Sequence, residues 1–144
     1  MNSGIQKTYK YLGDSGCYFF CINKIAEMAG TKLTNLTDTY YKLLDEKIIT
    51  EDAFVNNAKL FIEALTGDEW IVSKTSYISS IMMADILSKN LKDAFIVARY
   101  VNGSYGHFVI INPENNEVIF DPLGESNTVK NGTIKSYRIF IRKR

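Results

Sequence analysis

The chain has 144 residues, which suits a single domain that buries a substantial core. Its composition, 46% hydrophobic and 23% charged, excludes an intrinsically disordered protein. The formal net charge is only +1, so the charge balance does not point to nucleic acid or an anionic membrane as a partner. We therefore expect one globular domain over residues 1–144.

The N-terminal residues have no apolar signal core, and the longest apolar run is far shorter than a membrane span. The two cysteines, Cys17 and Cys21, lie four residues apart, a spacing that does not match the framework of a small secreted disulfide protein. We expect reduced thiols, a cytoplasmic protein and no membrane span.

The first half of the chain predicts helices. Residues 1–13 show no clear period and suit at most a short extended piece. A first helix is predicted over 15–29, with Asp14 or Ser15 as its N-cap and Gly30 as its stop. A second is predicted over 36–47, with Asn35 or Thr37 as its cap.

Two more helices are predicted further on. The third would begin at Thr50, whose hydroxyl caps a first turn containing two acids, and would end at Gly67. Its inward stripe is predicted to be Phe54, Ala58, Phe61, Ile62 and Leu65. After a strand at 70–73, the fourth helix is predicted over 78–91. Its inward residues would be Ile81, Met82, Ile86 and Leu87.

The second half predicts strands at 94–101, 106–111, 117–120 and 133–141, each rich in Val, Ile, Phe and Tyr. Asn-Gly-Ser at 102–104 and the polar run at 112–116 are hairpin connections. Helices followed by an antiparallel meander predict an α+β fold.

Cys17 falls in the first turn of the first helix, where unpaired backbone N–H groups and the helix dipole favour a thiolate. The neighbouring Gly16 allows backbone and substrate to approach closely. The alternative is that Cys17 is a small buried hydrophobic residue, as free cysteines usually are. Cys21 belongs to the apolar stripe and is predicted to be core.

His107 is the only histidine of the chain, and Asp121 ends the following strand. Histidine accepts and returns protons near neutral pH. If the two side chains share one side of the hairpin, the carboxylate can fix the imidazole tautomer. The alternatives are a structural histidine and ordinary turn chemistry at Asp-Pro-Leu-Gly. Together with a cysteine at a helix start, the pair favours a nucleophilic site.

These residues resemble the papain-like cysteine peptidase superfamily. The likeness is closest to small bacterial peptidases that cut double-glycine leader peptides and to their phage and bacterial relatives. Gly16-Cys17, Gly106-His107-Phe108-Val109 and Asp121-Pro122 carry it. The resemblance implies a papain-like fold with the cysteine helix packed on a C-terminal antiparallel sheet. It also implies Cys17 as nucleophile, His107 as general base and then acid, and Asp121 as its orienting group.

One residue of the family pattern is missing. Such enzymes usually place a glutamine several residues before the cysteine as an oxyanion donor, and no glutamine holds that position here. Tyr11 and Gln6 are the candidates for this role, together with the Cys17 backbone N–H. Losing one such donor typically costs about 100- to 1000-fold in rate.

Two functions therefore remain, with a purely structural subunit of a larger assembly as a third alternative. The first is a thiol hydrolase that attacks a peptide or protein substrate, with no cofactor. The second is a weak or inactive papain-like domain, encoded by a phage or mobile element, that binds and inhibits a host factor. A zinc site is weakly supported because Cys17, Cys21 and His107 supply three ligands at most. The basic C-terminal residues, among them Arg138 and Arg142, suit a solvated tail, and nucleic acid is not the expected partner.

Overall fold

The computed structural model describes residues 16–33 and 35–143. Its helices are α1 (Cys17–Met28), α2 (Leu36–Asp45), α3 (Ala58–Thr66), α4 (Ser80–Ser88) and α5 (Asn127–Asn131). Its strands are β1 (Trp70–Thr75), β2 (Ala94–Asn102), β3 (Tyr105–Ile111), β4 (Val118–Phe120) and β5 (Thr133–Arg142). All strand pairs are antiparallel, in the order β1-β5-β2-β3-β4. The predicted α+β class is confirmed.

The strand order differs from a simple meander. β2, β3 and β4 follow one another as predicted, but β5 lies between β1 and β2 rather than beside β4. The burial of β5 explains this position, because Ile139 and Phe140 are 3% and 0% exposed and face opposite sides of the sheet. A strand with apolar residues buried on both faces is stable only inside a covered sheet.

Helices cover both faces of the sheet. On one face α1, α2 and α3 pack through a cluster that includes Ile22, Phe61, Phe95 and Phe140. On the other face α4 and α5 pack against a smaller cluster built on Ile86, Ile96, Val109 and Ile139. The predicted packing of the cysteine helix on the sheet is therefore confirmed. A short fifth helix, α5, was not predicted from the sequence.

The ends of α1 and α2 follow local sequence signals. Gly30 has φ +104 after the last turn of α1, so its predicted role as a stop is confirmed. The predicted N-cap, Asp14 or Ser15, is wrong, because Gly16 is the N-cap of α1 and supplies no side-chain bond. Asp14 and Ser15 themselves lie outside the described residues. Asn35 caps α2 by accepting two backbone N–H bonds, as predicted.

The predicted start of the third helix is wrong. α3 begins at Ala58, and Asn57 is its N-cap. Thr50 instead caps a tight turn, in which its hydroxyl accepts the Phe54 N–H and Ala53 adopts φ +61. This local side-chain bonding competes with a helix. As a result Phe54 is 61% exposed rather than part of the apolar stripe.

The fourth helix is shorter than predicted, and half of its predicted stripe faces outward. Ile86 is buried and Met82 packs beside it, whereas Ile81 is 84% and Leu87 49% exposed. At 3.6 residues per turn, Ile81 and Leu87 each lie about 100° from the stripe formed by Met82 and Ile86. The sheet contacts only that narrow stripe.

Arg142 fastens the end of α1 to the sheet. Its guanidinium, 7% exposed, donates to Asp93 at 2.9 Å, to Asp68 at 3.1 Å and to the Ala29 carbonyl at 3.0 Å. It also lies 5.4 Å from the centre of the Trp70 ring. The expectation of a solvated basic tail is therefore wrong for Arg142. A guanidinium with five donors can join a helix end, a strand and a loop in one network.

Candidate active site at the start of helix α1

The edge of β3 beyond the end of β4 forms the base of the site. β4 pairs with β3 only at Ile110 and Ile111, so within the described part of the chain no strand pairs with the backbone of Phe108 on that side. The start of α1 takes that place. The Phe108 N–H donates to Cys17 Sγ at 3.4 Å, and the Cys21 thiol donates to the Phe108 carbonyl at 3.5 Å.

The two thiols therefore have opposite roles. Cys21 donates a proton, and burial raises its pKa well above the ordinary value, helped by the nearby Cys17 and Asp121. It is fully buried, so the prediction that Cys21 is a core residue is confirmed. Cys17 accepts a backbone N–H, a bond that strengthens when the sulfur is charged. The site is thus asymmetric: the Cys21 thiol donates a hydrogen bond, and the Cys17 sulfur accepts one.

His107 and Asp121 form a direct pair. Nε2 of the imidazole lies 2.6 Å from Oδ1 of Asp121, and the two side chains are 3% and 5% exposed. An ionised carboxylate only accepts hydrogen bonds, so the imidazole proton belongs on Nε2. The lone pair of the neutral ring then lies on Nδ1, the nitrogen that can take up another proton. The predicted proximity of the two side chains is confirmed.

Asp121 also forms the turn at Asp-Pro-Leu-Gly, which was the alternative explanation for an aspartate at this position. Its Oδ1 accepts the Leu123 N–H at 2.9 Å, and its carbonyl accepts the Gly124 N–H. The turn and the pair with His107 therefore coexist, and the turn holds the carboxylate oxygen against the imidazole. This contribution of the Leu123 amide was signalled by Asp-Pro-Leu-Gly but was not predicted.

The Cys17 sulfur lies beside the backbone of β3, next to His107. The Phe108 nitrogen that touches Cys17 Sγ is two covalent bonds from His107 Cα, so the sulfur lies within about 6 Å of that carbon. Cys17 is 4% and His107 2% exposed. The structure thus brings Cys17, His107 and Asp121 to one end of β3. Tyr11 and Gln6, the oxyanion candidates, lie outside the described residues.

Aromatic rings and a guanidinium border the site. Tyr18, the residue after Cys17, stacks on Phe108 with ring centres 4.6 Å apart. The Arg138 guanidinium lies 4.8 Å from the centre of the Phe108 ring and 5.8 Å from that of Tyr18. Burial raises the pKa of the Tyr18 phenol. Arg138 is therefore part of the wall of the site and not of a solvated tail, which the basic C-terminal sequence did not reveal.

Within residues 16–33 and 35–143, no three side chains of the types that ligate metals converge on one point. In the same ranges, no helix is both long and apolar enough to cross a bilayer.

Comparison with known proteins gives one match. A family model described as "Protein of unknown function, DUF261" matches residues 4–142, almost the whole chain. No curated protein and no solved structure matches the chain.

Proposed function

We propose that this chain, which belongs to the DUF261 family of proteins of unknown function, is a cysteine peptidase or amide hydrolase of papain-like fold. The observation that carries the proposal is the pairing of His107 Nε2 with Asp121 at 2.6 Å, on the same strand end at which Cys17 Sγ accepts the Phe108 amide. Each residue then has a distinct role: nucleophile, proton carrier and orienting carboxylate.

In the first half of the reaction, Nδ1 of His107 takes the proton of the Cys17 thiol. The thiolate attacks the carbonyl carbon of the scissile amide and forms a C–S bond, while the carbonyl oxygen becomes an oxyanion. The intermediate collapses, the C–N bond breaks, and the imidazolium gives its proton to the leaving amine. Asp121 stabilises the imidazolium and holds the ring in place.

In the second half, water replaces the amine. His107 Nδ1 takes a proton from the water as its oxygen attacks the thioester carbon. The C–S bond then breaks, the carboxylic acid leaves, and the proton returns to the Cys17 sulfur. Each proton moves through one imidazole, because the chain contains only one histidine.

The oxyanion would be stabilised at the start of α1. Cys17 is the first residue of α1, so its backbone N–H belongs to the first turn of the helix. A backbone N–H there and the helix dipole both favour a negative oxygen. Tyr11 or Gln6 is proposed as the second donor.

A second candidate function is a weak or inactive papain-like domain that binds and inhibits another protein. The observation that favours it is the burial of Cys17, which is only 4% exposed. A nucleophile must reach a substrate carbonyl, so such burial demands a rearrangement when substrate binds. In an inhibitory binding protein no such access is needed.

Thiol alkylation distinguishes the two. We expect Cys17 to react with iodoacetamide at about pH 6 at least tenfold faster than free cysteine, which is under about 1% thiolate at that pH. The reacting residue is identified by peptide mass mapping, and Cys21→Ala serves as the matched control that should leave the rate unchanged. His107→Ala should abolish the enhancement. If Cys17 reacts no faster than free cysteine and His107→Ala changes nothing, the hydrolase proposal is wrong.

A further inference from the structure

A groove opens beside the site on the face of the sheet that α1 covers only in part. It has a volume of about 860 Å³ and is bordered by Phe108 and Gly106, the two neighbours of His107. Cross-strand pairs place its floor in two adjacent rows on one face. Lys74 is opposite Arg138 in one row, and Arg99 is opposite both Ser136 and Phe108 in the row two residues further along. The apolar part of this face lies under helices, and the polar part remains open.

Among the described residues that line the groove, every charged one is a cation: Lys74, Arg99, Lys135 and Arg138. Among the described residues, none of these four forms an ion pair with a carboxylate. The lysines and arginines that do form ion pairs lie outside the groove. Examples are Lys59 with Glu63 and Arg142 with Asp93. The groove therefore concentrates positive charge in a chain whose formal net charge is only +1.

The backbone is shaped to hold these cations in the groove. A register shift in β5 leaves Lys135 without a partner residue on β2, and such a bulge re-aims a side chain. The Arg99 guanidinium lies across Gly106, where a Cβ would come within 2.8 Å of its Nη2 atom. Gly106 therefore makes room for Arg99.

Two of the guanidiniums also influence each other. Burial lowers the pKa of Arg138, and Arg99 lowers it further, while the Tyr18 phenol acts in the opposite direction. The Arg138 guanidinium donates to the Ser136 hydroxyl at 2.6 Å and stacks on Phe108. Two like charges kept close together at a half-open surface are an arrangement that an anion would stabilise.

We propose that this groove binds an acidic peptide segment next to the Cys17 thiol. The binding of the peptide does not depend on the proposed function. Only its identification as a substrate rests on that function. Lys74, Arg138 and Arg99 lie on the three adjacent strands β1, β5 and β2, and Gly106 on the next strand, β3. The path crosses three strand spacings of about 4.8 Å and shifts by about four residues along the strands, so it is about 20 Å long, the length of about six extended residues.

The size and setting of the groove favour a peptide over a nucleic acid. Four cations over about six residues of extended chain match Asp and Glu side chains spaced along an acidic peptide. Nucleic acid offers a continuous line of phosphates and is usually bound by a larger basic surface than four side chains. The groove also ends at Phe108, whose backbone N–H contacts the Cys17 sulfur, so a bound peptide would pass close to the thiol.

The test measures binding without turnover. Tetramethylrhodamine-labelled hexaglutamate, hexaglutamine and hexalysine peptides, together with an oligothymidylate hexamer, are titrated with the full chain at low salt by fluorescence anisotropy. We expect hexaglutamate to bind at least tenfold tighter than hexaglutamine, with affinity falling as salt rises, and hexalysine not to bind. The triple variant Lys74→Gln, Arg99→Gln, Lys135→Gln should lose about tenfold or more of the hexaglutamate affinity.

A matched variant, Lys32→Gln, Lys42→Gln, Lys92→Gln, removes the same charge from three exposed lysines outside the groove and should bind within about twofold of the wild type. Circular dichroism checks that each variant is folded, and the single variants Lys74→Gln and Lys135→Gln replace the triple one if it is not. Equal losses in both triple variants, or oligothymidylate binding tighter than hexaglutamate, would overturn the inference. Binding with an unreactive Cys17 would support the groove and refute the hydrolase.

Discussion

Nε2 of His107 lies 2.6 Å from Oδ1 of Asp121, and the same oxygen accepts the backbone N–H of Leu123. The turn that begins at Asp121 therefore holds the carboxylate in place against the imidazole. Because Nε2 is held by this bond, Nδ1 is the nitrogen through which His107 would exchange a proton with Cys17. The backbone and the side chain together set one tautomer of the only histidine in the chain.

Replacing Asp121 tests this arrangement. In Asp121→Asn the Leu123 amide should keep an oxygen facing His107, so the tautomer is retained and only the negative charge is lost. We expect the rate of Cys17 alkylation near neutral pH to fall about tenfold, since a charge-assisted hydrogen bond is about twice as strong as a neutral one. Asp121→Ala should lower the rate further, because it removes the orientation as well. Equal alkylation rates in Asp121→Asn and Asp121→Ala would contradict the idea that the side chain at position 121 orients the imidazole.

Cys21 should make the protein less stable at alkaline pH. Its pKa is raised by burial, so the folded state holds this proton when the unfolded state, with an ordinary thiol value of 9.0, releases it. The stabilisation that this bound proton gives the folded state is complete below pH 9.0 and is lost progressively as the pH rises above it. We expect the free energy of unfolding to fall by about 1 kcal/mol from pH 9 to pH 10 through this group. Urea unfolding at both pH values measures it, and Cys21→Ala should show a smaller fall.

Arg142 should be essential for stability. Its removal leaves Asp93, whose side chain is 10% exposed, without its guanidinium, and leaves the Ala29 carbonyl at the end of α1 without that donor. We expect Arg142→Met to lower the free energy of unfolding by about 3–5 kcal/mol. Adding Asp93→Leu should recover part of this loss, since it removes the buried carboxylate that the guanidinium no longer balances. A loss below about 1 kcal/mol, measured by urea unfolding, would refute the role.

Substitutions of Phe61 and Phe54 form a matched pair that tests whether α3 begins at Ala58 rather than near Thr50. Both belong to the stripe predicted from the sequence, but Phe61 is fully buried against Phe19 at 5.4 Å, whereas Phe54 is 61% exposed. We expect Phe61→Ala to cost about 3–5 kcal/mol of stability and Phe54→Ala about 0.5 kcal/mol or less. Thermal or urea unfolding of both variants decides. Similar losses would instead support the helix predicted from Thr50.

Much of the site was predictable because its parts are local. His107 and Asp121 are 14 residues apart in one hairpin, so strand alternation and a turn suffice to bring them together. Gly30 and Asn35 likewise mark helix ends through their own backbone and side-chain chemistry. The start of α3 was predicted wrongly because the Thr50 hydroxyl can accept a backbone N–H bond either at the start of a helix or in a tight turn.

The sequence by itself determined the α+β class, the C-terminal stop of α1 and the local pairing of histidine and aspartate. Only the tertiary structure decided that β5 is inserted beside β2, that the two thiols take opposite roles at the Phe108 backbone, and that four cations share one groove. These features join segments up to 91 residues apart, as in the bond from Phe108 to Cys17. Periodicity records which face of an element is apolar, but it does not record which distant backbone atom that face will meet.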